Sequence, residues 1–122
     1  MYRTRILIAE GHSPLREALR TFLQHTAEVE IVAEAVDGEE AIRATGQREP
    51  DIVVLDSGLP GLSAFTVARR IKEECPRTKI IIVADEDSED YWTEAQDSGA
   101  SAYVAKNRID RDLPAVIRSL LK

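Results

Sequence analysis

Five short apolar runs punctuate the chain, and a stretch of polar residues with apolar positions at helical spacing follows each of them. Residues 6–9 (Ile-Leu-Ile-Ala) form the first run. Residues 30–36 form a second, with weaker alternation. Residues 52–55 (Ile-Val-Val-Leu) run straight into Asp56, residues 79–84 (Lys-Ile-Ile-Ile-Val-Ala) make the fourth, and residues 102–105 (Ala-Tyr-Val-Ala) the fifth. Unbroken β-branched runs bounded by turn residues predict strands buried on both faces. Between them, Leu15, Ala18, Leu19, Phe22 and Leu23 predict a helix with one inward face, opened by Ser13 as cap and Pro14 in its first turn. Asp37-Gly-Glu-Glu40 is a capping-box pattern for a second helix ending near Gly46. Ser63 caps a third, with Phe65, Ala68 and Ile71 on one side. The acidic stretch 85–90 opens a fourth that stops at Gly99. Ile109, Leu113, Val116, Ile117, Leu120 and Leu121 predict an amphipathic last helix with Pro114 in its first turn, where proline costs little. Strand and helix thus alternate five times, which predicts an α/β fold with a parallel sheet covered by helices on both faces.

Length and composition narrow the function. The 122 residues suit one domain, taken as residues 1–122. No apolar stretch is long enough to span a bilayer, and the first residues lack a signal-peptide pattern, so a cytoplasmic location is expected. A net charge of −6 argues against nucleic acid as the direct partner of this domain and suits a protein partner or a bound cation. The single cysteine, Cys75, excludes an internal disulfide and a cysteine metal cluster. With no basic group or histidine beside it in sequence, it reads as a bystander.

Chemistry concentrates where the strands end. Parallel strands deliver their C-terminal tips to one edge, where open α/β sheets bind ligands. The tips here are Glu10 followed by Gly11, then Asp56, Ala84 followed by Asp85, and Lys106. Two carboxylates and a lysine converging at one rim are costly to pack unless they compensate one another or a cation does. Asp56 alone reads equally as a hydrogen-bonded structural carboxylate or a working one. Dinucleotide and P-loop glycine patterns are absent after the early strands. His12 and His25 adjoin no nucleophile elbow, and His12 reads as solvent-exposed. An aspartate-nucleophile hydrolase would want a second aspartate two residues after Asp56, where this chain has Gly58.

The segments Val54-Leu-Asp-Ser-Gly-Leu-Pro-Gly61, Gly99-Ala-Ser-Ala-Tyr-Val-Ala-Lys106, Arg16-Glu-Ala-Leu and Asp37-Gly-Glu-Glu-Ala41 resemble the receiver domain of bacterial two-component response regulators, in the branch that carries a LuxR-type helix-turn-helix. The resemblance covers essentially the whole chain. It implies a flavodoxin-like (CheY-like) doubly wound sheet of order 2-1-3-4-5, and a non-enzymatic signalling role. By that resemblance Asp56 is the phospho-acceptor, loaded by a histidine kinase. Mg²⁺ is held by Glu10, Asp56 and the Gly58 carbonyl, Lys106 is the charge partner of the phosphoryl group, and Tyr103 is the aromatic switch. Regulation of an output domain, expected to be transcriptional and lying outside this chain, follows, as does homodimerisation through the last helices and strand.

Two positions depart from the family pattern. Gly11 stands where the family has the acid that contacts Mg²⁺ directly, which weakens the metal site. Water or the longer Glu10 side chain are the groups available to fill the gap. Ala84 stands where the family has the Ser or Thr that hydrogen-bonds the phosphoryl group and lets the aromatic residue turn inward. Two readings of the acidic run stay open. It is either a solvated helix start or a source, through Asp85 or Glu86, of the missing ligand. Tyr91 reads as packing, and Trp92, off the apolar stripe, as packing or part of a partner surface. The departures also admit an alternative function, a phosphorylation-independent receiver acting as a dimerisation or protein-interaction module.

Overall fold

The computed structural model describes residues 2–26, 28–85 and 88–121. In chain order the elements are β1 (Thr4–Ala9), α1 (Ser13–Gln24), β2 (Val29–Ala35), α2 (Gly38–Arg48), β3 (Ile52–Asp56), α3 (Ala64–Glu74), β4 (Lys79–Ala84), α4 (Glu89–Asp97), β5 (Ala102–Ala105), a 3₁₀ turn over Lys106–Arg108, and α5 (Ile109–Leu120). The strands form one parallel sheet of order β2-β1-β3-β4-β5. This is the architecture expected from the alternating pattern and from the resemblance.

The side-chain period of two along each strand splits the core into two layers. Leu7, Val53, Leu55, Ile80 and Ile82 face α2, α3 and α4 and pack with Ile42, Val67, Ile71 and Ala95. Ile6, Ile8, Ile52, Val54, Ile81, Val83 and Val104 face α1 and α5 and pack with Leu19, Leu23, Leu113 and Ile117. Both faces of the central strands are therefore dry, which is why their sequences read as unbroken apolar runs rather than alternating ones. Each fully buried Ile or Leu contributes roughly 1.5–3 kcal/mol relative to exposure, so these layers dominate the stabilisation.

Caps and ends explain the element boundaries and correct several expectations. The Asp37 carboxylate accepts from the Glu40 N–H at 2.8 Å. Glu40 returns a bond to the Val36 N–H at 3.0 Å, one residue before the cap itself, so the box is offset. Ser63 accepts from Thr66 N–H, as expected of a cap. Ser13 is not the cap of α1: it is already helical, His12 occupies the cap position without a side-chain bond, and the Ser13 hydroxyl serves Arg16 instead. Ala18 is exposed rather than inward; only Leu19 and Leu23 of α1 are fully buried. The second helix runs past Gly46 to Arg48, ending where Glu49 turns left-handed at φ 46° just before Pro50. The fourth helix starts at Glu89, capped by Ser88, so only Glu89 and Asp90 of the acidic run lie in its first turn. Gly99 closes its end at φ 104°, a conformation that favours glycine. Pro114 lies in the second turn of α5, not the first. The 3₁₀ turn takes up Lys106–Arg108 and α5 starts directly after it at Ile109, five residues before Pro114. Asp110, whose carbonyl loses its intrahelical donor, is exposed and within reach of water.

Candidate functional site

Register fixes the geometry of the rim. Ala9 pairs with Leu55, so Glu10 falls level with Asp56, the last residue of β3. Ala84 pairs with Ala105, which sets Lys106 one step beyond the end of β5. The even-numbered residues of β1, β3 and β5 face the α1/α5 side, and Asp56 continues that parity. The lysine stem spans the remaining gap: its Nζ lies 2.7 Å from Asp56 Oδ1 and 3.8 Å from Asp85 Oδ2. Asp56 Oδ2 accepts from the Gly58 N–H at 2.8 Å, and Glu10 Oε2 from the His12 N–H at 3.1 Å. Glu10, Gly11, His12, Leu15, Asp56, Gly58, Pro60 and Lys106 thus line one open pocket of about 420 Å³. The sequence expectation that Glu10, Asp56 and Lys106 meet at one rim is met. His12 is exposed, and it is its backbone rather than its ring that enters the site. Of the acidic run, Asp85 lies near the lysine but is 81% exposed. Glu86 lies outside the described residues.

Glu10 and Asp56 are only 3% and 4% exposed. Burial first, and then the adjacent Asp56 carboxylate, push the Glu10 carboxyl above the ordinary glutamate value; the His12 N–H and Lys106 pull the other way. Glu10 Oε1 is buried with no hydrogen-bond partner, although its carboxyl faces Asp56. Two ionised carboxylates have no proton to share, and protonation of Glu10 would give the pair one. Burial alone would lower Lys106, but Asp56, then Asp85 and Glu10, more than offset it and hold the ammonium above the ordinary lysine value. Its contact with Asp56 Oδ1 is an ion pair by distance, off the direction of a well-formed hydrogen bond. An unpartnered buried acid oxygen beside a second buried carboxylate and a nearby ammonium makes a site suited to positive charge or to a group with negative oxygens.

Comparison with known proteins agrees with that geometry. Residues 6–118 match the family model described as the response regulator receiver domain. This chain is a response regulator receiver domain. It is 34% identical over 117 residues to the oxygen regulatory protein NreC of Staphylococcus epidermidis, covering 95% of this chain and 54% of that protein. The Staphylococcus aureus NreC is 33% identical over 119 residues, covering 97% of this chain and 55% of that protein. The chain therefore spans about half the length of the curated relatives it matches. Among solved structures, a LuxR-family two-component response regulator from Aurantimonas sp. SI85-9A1 superposes with a TM-score of 0.93 at 31% identity, over 98% of this chain and 85% of that one. A LuxR-family DNA-binding response regulator from Staphylococcus aureus gives 0.89 at 28%, over 98% and 99%. The branch suggested by the sequence motifs is the one these relatives occupy. No helix among the described residues is long and apolar enough to cross a membrane.

Gly11 of this receiver domain is more than a missing acid. A Cβ placed there would sit 2.7 Å from Pro60 Cδ and 2.9 Å from the Val36 carbonyl oxygen. Pro60 is itself pinned, since its carbonyl accepts from the Gly38 N–H at 3.1 Å. The loop after β3 rests directly on the bare glycine backbone. Gly11→Ala and Gly11→Asp are both expected to lower stability by about 1–3 kcal/mol, because the obstruction lies at Cβ and not in the charge. Urea denaturation checks this; a Gly11→Ala protein as stable as wild type would refute it.

Among the described residues no three His, Cys, Asp or Glu side chains gather as a ready-made metal site. Mg²⁺ asks for less, typically one or two carboxylates with waters completing the shell. Glu10, with its unpartnered buried oxygen, and Asp56 meet that requirement, and the open pocket has room for water. The residues present fit a weakly held divalent cation with Glu10 standing in for the acid absent at Gly11.

On the other face of the sheet, Ala84 is fully buried and Tyr103 is half-buried. The Tyr103 ring sits 5.6 Å from Tyr91 and 6.1 Å from Trp92, and Tyr91 sits 5.1 Å from Phe65. Tyr91 packs, as its sequence position suggested. Trp92 does two things: it packs on Tyr103, and with Ser88, Glu89, Ser101 and Ala102 it lines an open groove of about 460 Å³. The sequence reading missed two groups that shape the site. One is Pro60, pressed on Gly11. The other is Arg16, whose guanidinium reaches the Glu10 carbonyl from the first turn of α1.

Proposed function

We propose that this receiver domain accepts a phosphoryl group on Asp56 from a histidine kinase and passes the signal to a transcriptional output. The single observation that supports this most is the Asp56 carboxylate held between the Lys106 ammonium and the Gly58 N–H, 4% exposed yet opening onto a pocket. An oxygen of Asp56 attacks phosphorus, the bond from phosphorus to the donor breaks (P–N in a phosphohistidine, P–O in acetyl phosphate) with its electron pair leaving on the donor, and an acyl phosphate forms. Lys106 stays protonated throughout and faces the incoming equatorial oxygens. Gly58 N–H keeps the carboxylate rotamer fixed. Glu10, Asp56 and the Gly58 carbonyl would hold Mg²⁺, which when bound neutralises charge on the phosphoryl oxygens.

Tyr103 is the switch residue in this reading, and Ala84 weakens its coupling to Asp56. A hydroxyl bonded to a charged phosphoryl oxygen is worth roughly 1.5–3 kcal/mol, comparable to the bias of a two-state switch. Without it the aromatic cluster of Tyr91, Trp92 and Tyr103 keeps more of its resting arrangement. In this reading the output lies in the part of the relatives' length that this chain does not span, and the DNA-binding LuxR-family regulator supports a transcriptional one. Dimerisation through α4, β5 and α5 belongs to the same reading.

Incubation with acetyl phosphate and Mg²⁺, followed by intact mass, tests the reading. The expected result is a gain of one phosphoryl group that hydroxylamine removes, the signature of an acyl phosphate. No gain under conditions that label an ordinary receiver domain would sink it, and would leave a phosphorylation-independent interaction module.

A further inference from the structure

We propose that Arg16 is a positioning residue of the acidic pocket, clamping the backbone of Glu10 so that its carboxyl stays turned toward Asp56. This rests on the phosphoryl-acceptor reading above and deepens it. Glu10 immediately follows β1, where chain direction is no longer set by the sheet. One last sheet bond and two further bonds hold it. Its N–H donates to the Ala35 carbonyl at 2.9 Å, its carbonyl accepts from Arg16 NH1 at 3.0 Å, and its Oε2 accepts from the His12 N–H at 3.1 Å. With those filled, the remaining oxygen, Oε1, is buried without a partner.

Arg16 is itself anchored on every edge. Its NH2 donates to the Ser13 hydroxyl at 3.2 Å, and its Nε lies 3.4 Å from Glu34 Oε1. Glu34 is gripped from the next turn by Arg20 NH1, at 3.1 and 3.0 Å to its two oxygens. The side chains of Arg16 and Glu34 are largely shielded, so this pair is less screened than a surface one. The chain of contact runs from β2 through α1 to the tip of β1. It uses the planar fork of a guanidinium, with donors on three sides, which a lysine cannot reproduce. Arg16 touches neither Asp56 nor the phosphoryl group in this scheme, so its effect passes entirely through Glu10.

The test compares wild type, Arg16→Ala, Arg16→Lys and Glu34→Gln by two measurements. The first is amide hydrogen exchange at His12, whose N–H reports the Glu10 side chain directly. The second is the initial rate of labelling by acetyl phosphate at fixed Mg²⁺. In Arg16→Ala, His12 exchange speeds up selectively while the Leu19 and Leu23 amides of α1 keep their protection. Labelling falls about 10–100-fold, the usual cost of losing a group that orients a ligating residue. Arg16→Lys does not rescue either readout, and Glu34→Gln gives a smaller loss in both. Unchanged His12 exchange in Arg16→Ala overturns the proposal, as does uniform loss of protection through α1, which would make Arg16 a helix anchor only. Labelling at the wild-type rate in Arg16→Ala overturns it as well. If wild type takes no label but His12 exchange still responds selectively, the phosphoryl-acceptor reading fails and the clamp on Glu10 stands.

Discussion

Replacing Asp56 by asparagine abolishes the mass gain from acetyl phosphate, with the fold intact. The amide has no anionic oxygen to attack phosphorus, so no acyl phosphate forms. The scaffold around it hardly changes. Asparagine keeps the shape of aspartate, and its carbonyl oxygen can still accept from the Gly58 N–H, now at 2.8 Å from Asp56 Oδ2. Lys106 loses its close partner but keeps Asp85 nearby. Glu10 cannot take over as acceptor. Burial holds its carboxyl toward the protonated form, and Oε2 is committed to the His12 N–H. Intact mass and urea denaturation, run on the same preparation, read both halves of the expectation. A variant that folds and still gains a hydroxylamine-sensitive group would place the acceptor elsewhere.

The parts of the site that were legible in the sequence share a physical cause. Buried parallel strands must be apolar on both faces, so a charged residue at the end of such a run stands out, and Asp56 and Lys106 are both of that kind. Parallel topology then brings them to one edge without knowledge of any contact. What the sequence hid depends on distance between loops. The closeness of Gly11 to Pro60 joins the β1–α1 and β3–α3 connections, about fifty positions apart, and no local pattern announces it. Arg16 looks like any solvated charge on α1 until the Glu10 carbonyl appears beside it. Local misreadings arose where tertiary structure overrode spacing: Ala18 fits the apolar stripe but points outward, and α5 begins at Ile109, early enough to leave Pro114 in its second turn.

The pocket also explains why its two departures do not simply erase function. Removing the acid at position 11 takes one negative charge from a buried cluster that already holds Glu10 and Asp56 against a single ammonium. Fewer carboxylates need less compensation in the absence of a cation. In the proposed reading the cost falls on cation affinity, and Glu10 is the acid left to hold the cation. Ala84 packs in the same layer as the aromatic cluster, and in the proposed reading its missing hydroxyl weakens the link from the phosphoryl group to Tyr103.

Lys106→Met should slow labelling by about 10²–10³-fold, the usual consequence of removing one preorganised charge from a developing oxyanion. The methionine keeps the length and the apolar stem but removes the only cation that, among the described residues, pairs with Asp56. Stability responds as well, in a pH-dependent way. Lys106 is 25% exposed against 4% for Asp56, so solvent screens part of the pair, and its loss costs about 1–3 kcal/mol near neutral pH. In wild type the ammonium is held above its ordinary value, so its contribution is complete below the unfolded lysine value and fades only as pH rises through the higher folded one. Glu10 works in the other range. Its carboxyl is raised, so the folded state keeps a proton that the unfolded chain gives up. The stability tied to that proton is full below the ordinary glutamate value and is lost as pH rises through the folded one. Without Lys106 nothing but the His12 N–H opposes the rise, so Glu10 moves further up and the loss extends to higher pH. Urea denaturation of wild type should therefore show higher stability than Lys106→Met throughout pH 4 to pH 8, with a gap that widens from the acid end toward the neutral end. Curves that stay parallel across the range would mean that the lysine does not offset the burial of the Glu10 carboxyl.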